Sequence, residues 1–171
     1  RAAVTWDGDS GVDLNWSTGG NWQGDAAPSN PSSDTLVFGT LGIDNTGIVN
    51  DDPWSVAGIA FSNTSGQHAI DIGGNTLQVT SRLGSGADGS DLKFQNGTLE
   101  LSGDIDLSVS HSGNSSLTIG SGVTLDSTAR VRMAVYSSYP LAAALDLRGA
   151  TIAQDGEGKR VLTMNGLTIN T

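Results

Sequence analysis

Apolar residues along this chain alternate with polar ones or form short runs that end at Gly, Asn, Asp or Ser. Both patterns are typical of short β-strands joined by tight turns. Helical periodicity is confined to Pro140–Leu145, which is too short to form a stable helix alone. The predicted strands are Thr35–Phe38, Val56–Phe61, Ala69–Ile72, Thr76–Thr80, Leu92–Gln95, Thr98–Leu101, Ile105–Val109, Ser116–Ile119, Ala129–Val135, Ala144–Leu147, Thr151–Ala153 and Val161–Asn170, the last broken at Gly166.

A degenerate repeat underlies these strands, in which a turn glycine precedes a short strand of Thr and an aliphatic residue. The repeats are Gly74–Leu77, Gly97–Leu99, Gly122–Leu125, Gly149–Ile152 and Gly166–Ile169, and their aliphatic positions are 22, 26, 27 and 17 residues apart. Such intervals favour an all-β fold built as a β-solenoid, whose coils bury their inner faces by stacking on one another. A β-sandwich or jelly roll is the alternative, because Asn96-Gly97 between two predicted strands also suits a hairpin turn.

The first third of the chain differs from the repeats. All four tryptophans fall here, at Trp6, Trp16, Trp22 and Trp54, together with three of the four prolines. Large aromatic side chains among turn residues are suited to cover the end of a β stack, where strand edges would otherwise be unpaired. We therefore predict a Trp-rich N-terminal cap with the first strands over residues 1–54 and solenoid repeats over residues 55–171, as one continuous unit.

The segment from Trp6 to Phe61 resembles the N-terminal region of autotransporter-passenger-like β-helix repeat proteins. The residues that carry the resemblance are Trp6-Asp7-Gly8, Asn15-Trp16-Ser17, Asn21-Trp22, Pro28, Asp34–Phe38 and Val56–Phe61. The resemblance implies a secreted, right-handed parallel β-helix with a structural, adhesive or display role at the bacterial cell surface. It implies no catalytic residues. Within these 171 residues we expect neither the membrane-barrel domain nor the sorting tail of those proteins.

Composition narrows the possible functions. The net charge of −10, with only eight Lys and Arg, argues against nucleic-acid binding, which needs a basic surface. The absence of cysteine excludes disulfides and thiolate chemistry. Apolar runs are all shorter than the roughly 20 residues that span a bilayer. We expect a secreted, extracellular protein, and Ala2 and Ala3 resemble the small residues at a signal-peptidase site.

The candidate cofactor is Ca²⁺, in the loop that carries Asp7, Asp9 and Asp13. Aspartates at alternate positions of a Gly-containing loop can present several oxygens to this cation. The loop lacks the distal Glu of an EF-hand, and a plain solvated turn is the alternative interpretation. Two further motifs, Asp104-Ile-Asp106 and Arg130-Val-Arg132, are each interpreted as solvent-facing rows on a strand.

We expect no enzymatic activity and no catalytic residues. His68 and His111 lie far apart with no paired nucleophile, and the acidic residues show no pairing typical of glycoside hydrolysis. The four tryptophans either fill the cap or form a sugar-binding platform, and the cap is the favoured interpretation.

Strand-like residues near both chain ends suggest assembly. Val4 and Thr5 at one end, and Val161, Leu162, Leu167 and Ile169 at the other, are candidate assembly strands that would pair with another copy or with adjoining repeats. The predicted function is a non-enzymatic structural or adhesive β-solenoid of the bacterial cell surface, joined end to end or by strand exchange into a filament or layer. The alternative is a carbohydrate-binding module of a larger secreted protein, with surface glycans as partners.

Overall fold

The computed structural model describes residues 3–41, 47–62, 67–85, 91–102, 104–110, 116–119, 123–127, 130–136, 144–146, 151–152, 162–164 and 169–170. Within these residues nearly all regular structure is β-strand, and helix is limited to a short 3-10 turn at Gly19–Asn21. The predicted all-β fold is confirmed. Of the possible helix at Pro140–Leu145, the first four residues lie outside the described residues, and the strand Ala144–Asp146 includes the last two.

The strands follow the alternating runs of the sequence. They are β1 (Ala3–Trp6), β2 (Ser32–Phe38), β3 (Ile48–Val49), β4 (Trp54–Phe61), β5 (Gln67–Asp71), β6 (Thr76–Ser85), β7 (Asp91–Gln95), β8 (Gly97–Leu101), β9 (Asp104–Ser110), β10 (Ser116–Ile119), β11 (Val123–Ser127), β12 (Arg130–Tyr136), β13 (Ala144–Asp146), β14 (Thr151–Ile152), β15 (Leu162–Met164) and β16 (Ile169–Asn170).

These strands form two sheets, and every strand pair with a register among the described residues is parallel. The first sheet has the order β1-β2-β4-β6-β8-β11-β14, and the second has the order β16-β13-β10-β7-β5-β3. The long strand β6 pairs with β8 along its first half and with β9 along its second half. β9 in turn pairs with β12, and β12 with β15. Some strands that follow one another in sequence, such as β7 and β8, lie in different sheets, whereas others, such as β8 and β9, lie in the same sheet.

The Gly-Thr-aliphatic repeats define a column of the first sheet. Leu77 stands beside Leu99, Leu99 beside Leu125, and Leu125 beside Ile152. Trp54 extends this column on the other side of Leu77. Ile169 was predicted to continue the column, but it pairs with Leu145 in the second sheet instead. Four of the five predicted repeat positions are thus neighbours in one column, and the fifth lies in the other sheet.

The hairpin that the sandwich alternative placed at Asn96-Gly97 is wrong, because β7 and β8 do not pair with each other. Asn96 has a left-handed backbone, with φ of 55°, and it turns the chain from the second sheet into the first. A Cβ on Gly97 would lie 2.5 Å from Cβ of Ile72. Glycine is required at this corner because the backbone passes directly over a buried side chain.

The core lies between the inward faces of the strands. One cluster of buried side chains runs from Trp6 to Leu101 and crosses the predicted boundary at residue 54. Its columns have members of similar size, as in Ile48, Ile70 and Phe94 of the second sheet. Close packing of such columns buries the apolar area that stabilises a parallel sheet on its inner face.

An outward row of polar side chains crosses the first sheet. The Ser55 hydroxyl donates to Gln78 Oε1 at 2.7 Å, and Gln78 Nε2 donates to Glu100 Oε1 at 2.6 Å. Asp126 is the next residue in register beyond Glu100. In the backbone register of β6, β9 and β12, Asp106 stands between Arg82 and Arg132, and Asp104 stands beside Arg130. The two motifs that the sequence analysis treated separately are therefore neighbours of opposite charge.

Candidate functional site

Three tryptophans, Trp6, Trp16 and Trp22, pack around Phe38 at one end of the core, and Trp54 packs against Trp16. Trp6, Trp16 and Trp22 have no exposed surface, and Trp54 is 5% exposed. The ring centroids of Trp6 and Trp22 are 5.1 Å apart and those of Trp16 and Trp22 are 6.0 Å apart, both in edge-to-face geometry. Such pairs add to the stability that burial of the rings already provides. A sugar-stacking platform needs an accessible ring face, and these buried indoles do not present one.

A buried asparagine organises the loop that carries these rings. Asn21 has no exposed surface, and its carbonyl oxygen accepts hydrogen bonds from the backbone N–H groups of Asp7 and Gly8, at 2.9 and 3.1 Å. Its side-chain Nδ2 donates to the Asn15 carbonyl at 3.0 Å. The Trp22 Nε1 donates to the Trp16 carbonyl at 2.8 Å. The sequence analysis named Asn21 only in the Asn21-Trp22 pair of the resemblance and gave it no structural role, since nothing in its spacing marks it as buried.

The same loop covers the outer edge of the first sheet. The backbone N–H of Gln23 donates to the carbonyl of Thr5 in β1 at 2.8 Å, and Trp22 forms an antiparallel bridge with Trp6. A turn follows at once, closed by the Asp25 N–H on the Trp22 carbonyl at 2.9 Å, with Gly24 at φ of 88°. That geometry is typical of a type II turn with glycine at its third position.

The outer edge of the second sheet is covered by an earlier part of the loop. The Val49 N–H of β3 donates to the Leu14 carbonyl at 2.9 Å, and the Trp16 N–H donates to the Val49 carbonyl at 3.0 Å. Asn15 forms a parallel bridge with Val49. One segment, residues 14–23, thus supplies backbone partners to both sheets. We call this segment, with β1 and the four tryptophans, the N-terminal cap.

The predicted assembly strands have different outcomes. Val4 and Thr5 lie in β1, where the Thr5 carbonyl accepts a hydrogen bond from the Gln23 N–H, and their role in assembly stays a prediction. Leu162 lies in β15, which pairs with β12, and Ile169 lies in β16, which pairs with β13. Val161 and Leu167 lie outside the described residues.

The predicted calcium ligands do not converge. Asp13 Oδ1 accepts hydrogen bonds from the Asn15 N–H at 3.0 Å and from Asn21 Nδ2 at 3.4 Å. The hydrogen bond from the Asn15 backbone, assisted by Thr18 and Asn21, lowers the pKa of Asp13. Among the described residues, no three His, Asp or Glu side chains form a group that could hold a metal ion. Calcium binding stays a prediction, without a ligand group formed by these three aspartates.

Asp7 lies in a different environment. Burial raises the pKa of its carboxyl group, and the negative charges of Asp9 and then Asp25 raise it further. Asp25 was not selected in the sequence analysis, because it lies 18 positions after Asp7 and only the turn at Gly24 brings it near. The carboxyl group of Asp7 is therefore easier to protonate in the fold than in the unfolded chain.

Comparisons of this chain with protein-family models, with curated proteins and with solved structures found no match. In the described part of the chain, no helix is both long enough and apolar enough to cross a membrane. The function must therefore be argued from the geometry of the cap and of the sheets.

Proposed function

We propose that this chain is a structural β-solenoid scaffold of the bacterial cell surface, non-enzymatic and extracellular, with its N-terminal end closed by the cap. Parallel pairing between strands about one repeat apart, with the chain passing repeatedly from one sheet to the other, supports a coiled path for the chain. The columns in register support stacking of those coils. The resemblance of residues 6–61 to autotransporter-passenger-like β-helix proteins suggests a right-handed coil and a display or adhesive role.

The main support for this proposal is that the outer edges of both sheets, at β1 and β3, are covered. A free strand edge is a template for another chain, and residues 14–23 supply bonds to both β1 and β3. A solenoid with one closed end cannot grow head to tail through that end. We therefore favour a scaffold whose first end is the cap and whose opposite end continues through further repeats or a second copy. We favour this arrangement over a filament that assembles through the edge of β1.

The carbohydrate-binding alternative relied on accessible tryptophan faces. Since Trp16 and Trp22 are fully buried, that alternative loses the residues that motivated it. The outward face of the first sheet presents the row of Ser55, Gln78 and Glu100 instead. We therefore propose that the outward polar row of the first sheet, and not the cap, makes the adhesive contacts of the scaffold.

The proposal is tested in the bacterium that encodes the chain. An antibody against the chain should label intact cells, and external protease should remove the label. Deletion of the gene should reduce attachment of cells to a solid surface, and the wild-type gene should restore it. A Trp16→Ala gene, which opens the cap, should fail to restore attachment, whereas Val12→Ala, at an exposed loop position, should succeed. Confinement to the cytoplasm, or unchanged attachment after deletion, would overturn the proposal.

A further inference from the structure

Four buried polar atoms beneath the cap have no hydrogen-bond partner among the described residues. They are Nε1 of Trp16, Nε1 of Trp54, and both Nδ2 and Oδ1 of Asn50. Asn50 and Trp16 have no exposed surface, and Trp54 is 5% exposed. Buried polar groups in folded proteins nearly always have partners, so a set of four calls for a partner other than protein.

The three side chains belong to one layer of the fold. The Trp16 N–H donates to the Val49 carbonyl, and Asn15 bridges Val49 in parallel, which places Trp16 beside Asn50. Trp54 follows Asn50 at the corner between β3 and β4. The rings of Trp16 and Trp54 are 5.7 Å apart, at an interplanar angle of 75°. The three residues that carry the unpartnered groups are thus neighbours in the fold.

The hydrogen-bond donors and acceptors among these groups determine which kind of ligand fits. Two indole N–H groups and one amide NH₂ are donors, and the amide oxygen of Asn50 is an acceptor. A cation would leave the donors without partners. An anion would leave the amide oxygen without a donor and would add charge to the interior of a chain of net charge −10. Water both accepts and donates, and it commonly bridges buried polar groups.

We propose that the cap encloses an internal water site between Asn50 and the indoles of Trp16 and Trp54. The bound water accepts hydrogen bonds from indole N–H groups and donates to the amide oxygen of Asn50. Trp16 belongs to the loop of the cap, whereas Asn50 and Trp54 belong to the corner that begins β4. The water is therefore a polar link between the loop of residues 14–23 and the corner before β4, in addition to the backbone bonds at the edges.

The test uses transfer of magnetisation from water to the indole Hε1 protons in NMR spectra of the ¹⁵N-labelled full chain. Phe substitution of single tryptophans assigns the signals. We expect transfer from a long-lived bound water to Trp16 and Trp54. Trp22 is the internal control, because it is equally buried and its Nε1 donates to the Trp16 carbonyl. Absence of transfer at Trp16 and Trp54, or equal transfer at Trp22, would overturn the proposal.

A pair of variants tests the role of Asn50. Asn50→Leu keeps a similar volume but removes both polar groups, and it should abolish the transfer at Trp16 and Trp54. Ile72→Val changes a buried residue that directly follows β5, as Asn50 directly follows β3, without a polar change, and it should leave the transfer intact. Undiminished transfer in a folded Asn50→Leu protein would contradict the site. If this variant does not fold, the wild-type comparison with Trp22 decides alone.

Discussion

At the scale of single residues, Gly97 is the clearest case in which backbone geometry dictates the amino acid. A Cβ at this position would lie 2.5 Å from Ile72 Cβ, 2.6 Å from its Cγ2 and 2.9 Å from the Asn75 carbonyl. Gly97→Ala should therefore lower the free energy of unfolding by about 1–3 kcal/mol, as overpacked core positions do. Chemical denaturation of the purified variant measures the change.

Gly47→Ala is the matched control, because a Cβ at Gly47 would meet only Leu14 Cδ1, at 3.8 Å. Its effect should stay within about 0.5 kcal/mol, the usual range for surface substitutions. Equal effects of the two substitutions would contradict the close approach of Gly97 to Ile72.

Two aspartates of the cap should respond to pH in opposite directions. Because the pKa of Asp7 is raised in the fold by burial and then by Asp9, its ionised form destabilises the fold as pH rises toward neutral. Asp7→Asn should increase stability at neutral pH and lose that advantage in acid. The pKa of Asp13 is lowered, chiefly by the Asn15 N–H, so its carboxylate stabilises the fold at neutral pH and this contribution is lost in acid.

Asp13→Asn should accordingly reduce stability at neutral pH, with a smaller difference from wild type in acid. Urea unfolding of wild type and both variants across this pH range measures the two curves. A shift of both variants in the same direction at neutral pH would show that the local environments of Asp7 and Asp13 are not as described.

The residue types in the sequence indicated which side chains are important in the cap, but not which contacts each of them makes. Burial of the four tryptophans agrees with the favoured interpretation that they fill the cap. The roles of Asn21 and Asn50 were not predictable, because asparagine in a turn-rich sequence is usually exposed and only the fold buries these two. Asp25 was missed for a similar reason, since a turn brings it toward Asp7.

At the scale of elements, the edge of β1 depends on one backbone donor that can be removed selectively. Gln23 is the second residue of a type II turn, a position that accepts proline, and the preceding Trp22 has the extended backbone that proline prefers. Gln23→Pro should delete the N–H that bonds the Thr5 carbonyl while it preserves the turn. We expect this variant to self-associate through the uncovered edge of β1.

Sedimentation velocity over a range of concentrations measures that association. Gln23→Ala keeps the backbone N–H and serves as the control, which should remain in the same state as wild type. If Gln23→Pro stays in the wild-type state at every concentration, the loop is not what protects the edge of β1.

The charged row of the first sheet offers a test of register between β6, β9 and β12. Asp106 stands beside both Arg82 and Arg132, so Asp106→Lys would align three positive charges on neighbouring strands. The expected loss is up to about 1 kcal/mol, typical of cross-strand charge pairs. Urea unfolding should show that the loss decreases at high salt, since screening weakens exposed charges.

Asp106→Asn removes the negative charge without adding a positive one and should cost less than Asp106→Lys. Equal losses in the two variants, or a loss independent of salt, would contradict the alignment of these three strands.

At the scale of the whole molecule, the strands were predictable because their alternation follows from one face being buried. The positions of Leu77, Leu99, Leu125 and Ile152 in one column were predictable from the repeat. The sequence did not predict whether the strands on either side of Asn96-Gly97 pair with each other. A left-handed turn residue fits both a hairpin and a corner between two sheets. The covered edges were not predictable either, since backbone hydrogen bonds between distant segments leave no periodic pattern.

The central claim is that successive repeats stack as parallel strands in register, and cysteine pairs test it most directly in a chain that has no native cysteine. Gln78, Glu100 and Asp126 are in register on three adjacent strands, β6, β8 and β11. Neighbouring strands are about 4.8 Å apart, so the Cα atoms of adjacent members fall in the range that disulfides require. The outer two members, roughly 9.6 Å apart across two such spacings, do not.

Double-cysteine variants at Gln78 with Glu100, and at Glu100 with Asp126, should therefore form intramolecular disulfides under mild oxidation. The pair at Gln78 with Asp126 should remain reduced, as measured by thiol labelling and mass spectrometry of the folded proteins. A disulfide between positions 78 and 126, or failure of both adjacent pairs, would contradict the stacked parallel architecture and the scaffold function that depends on it.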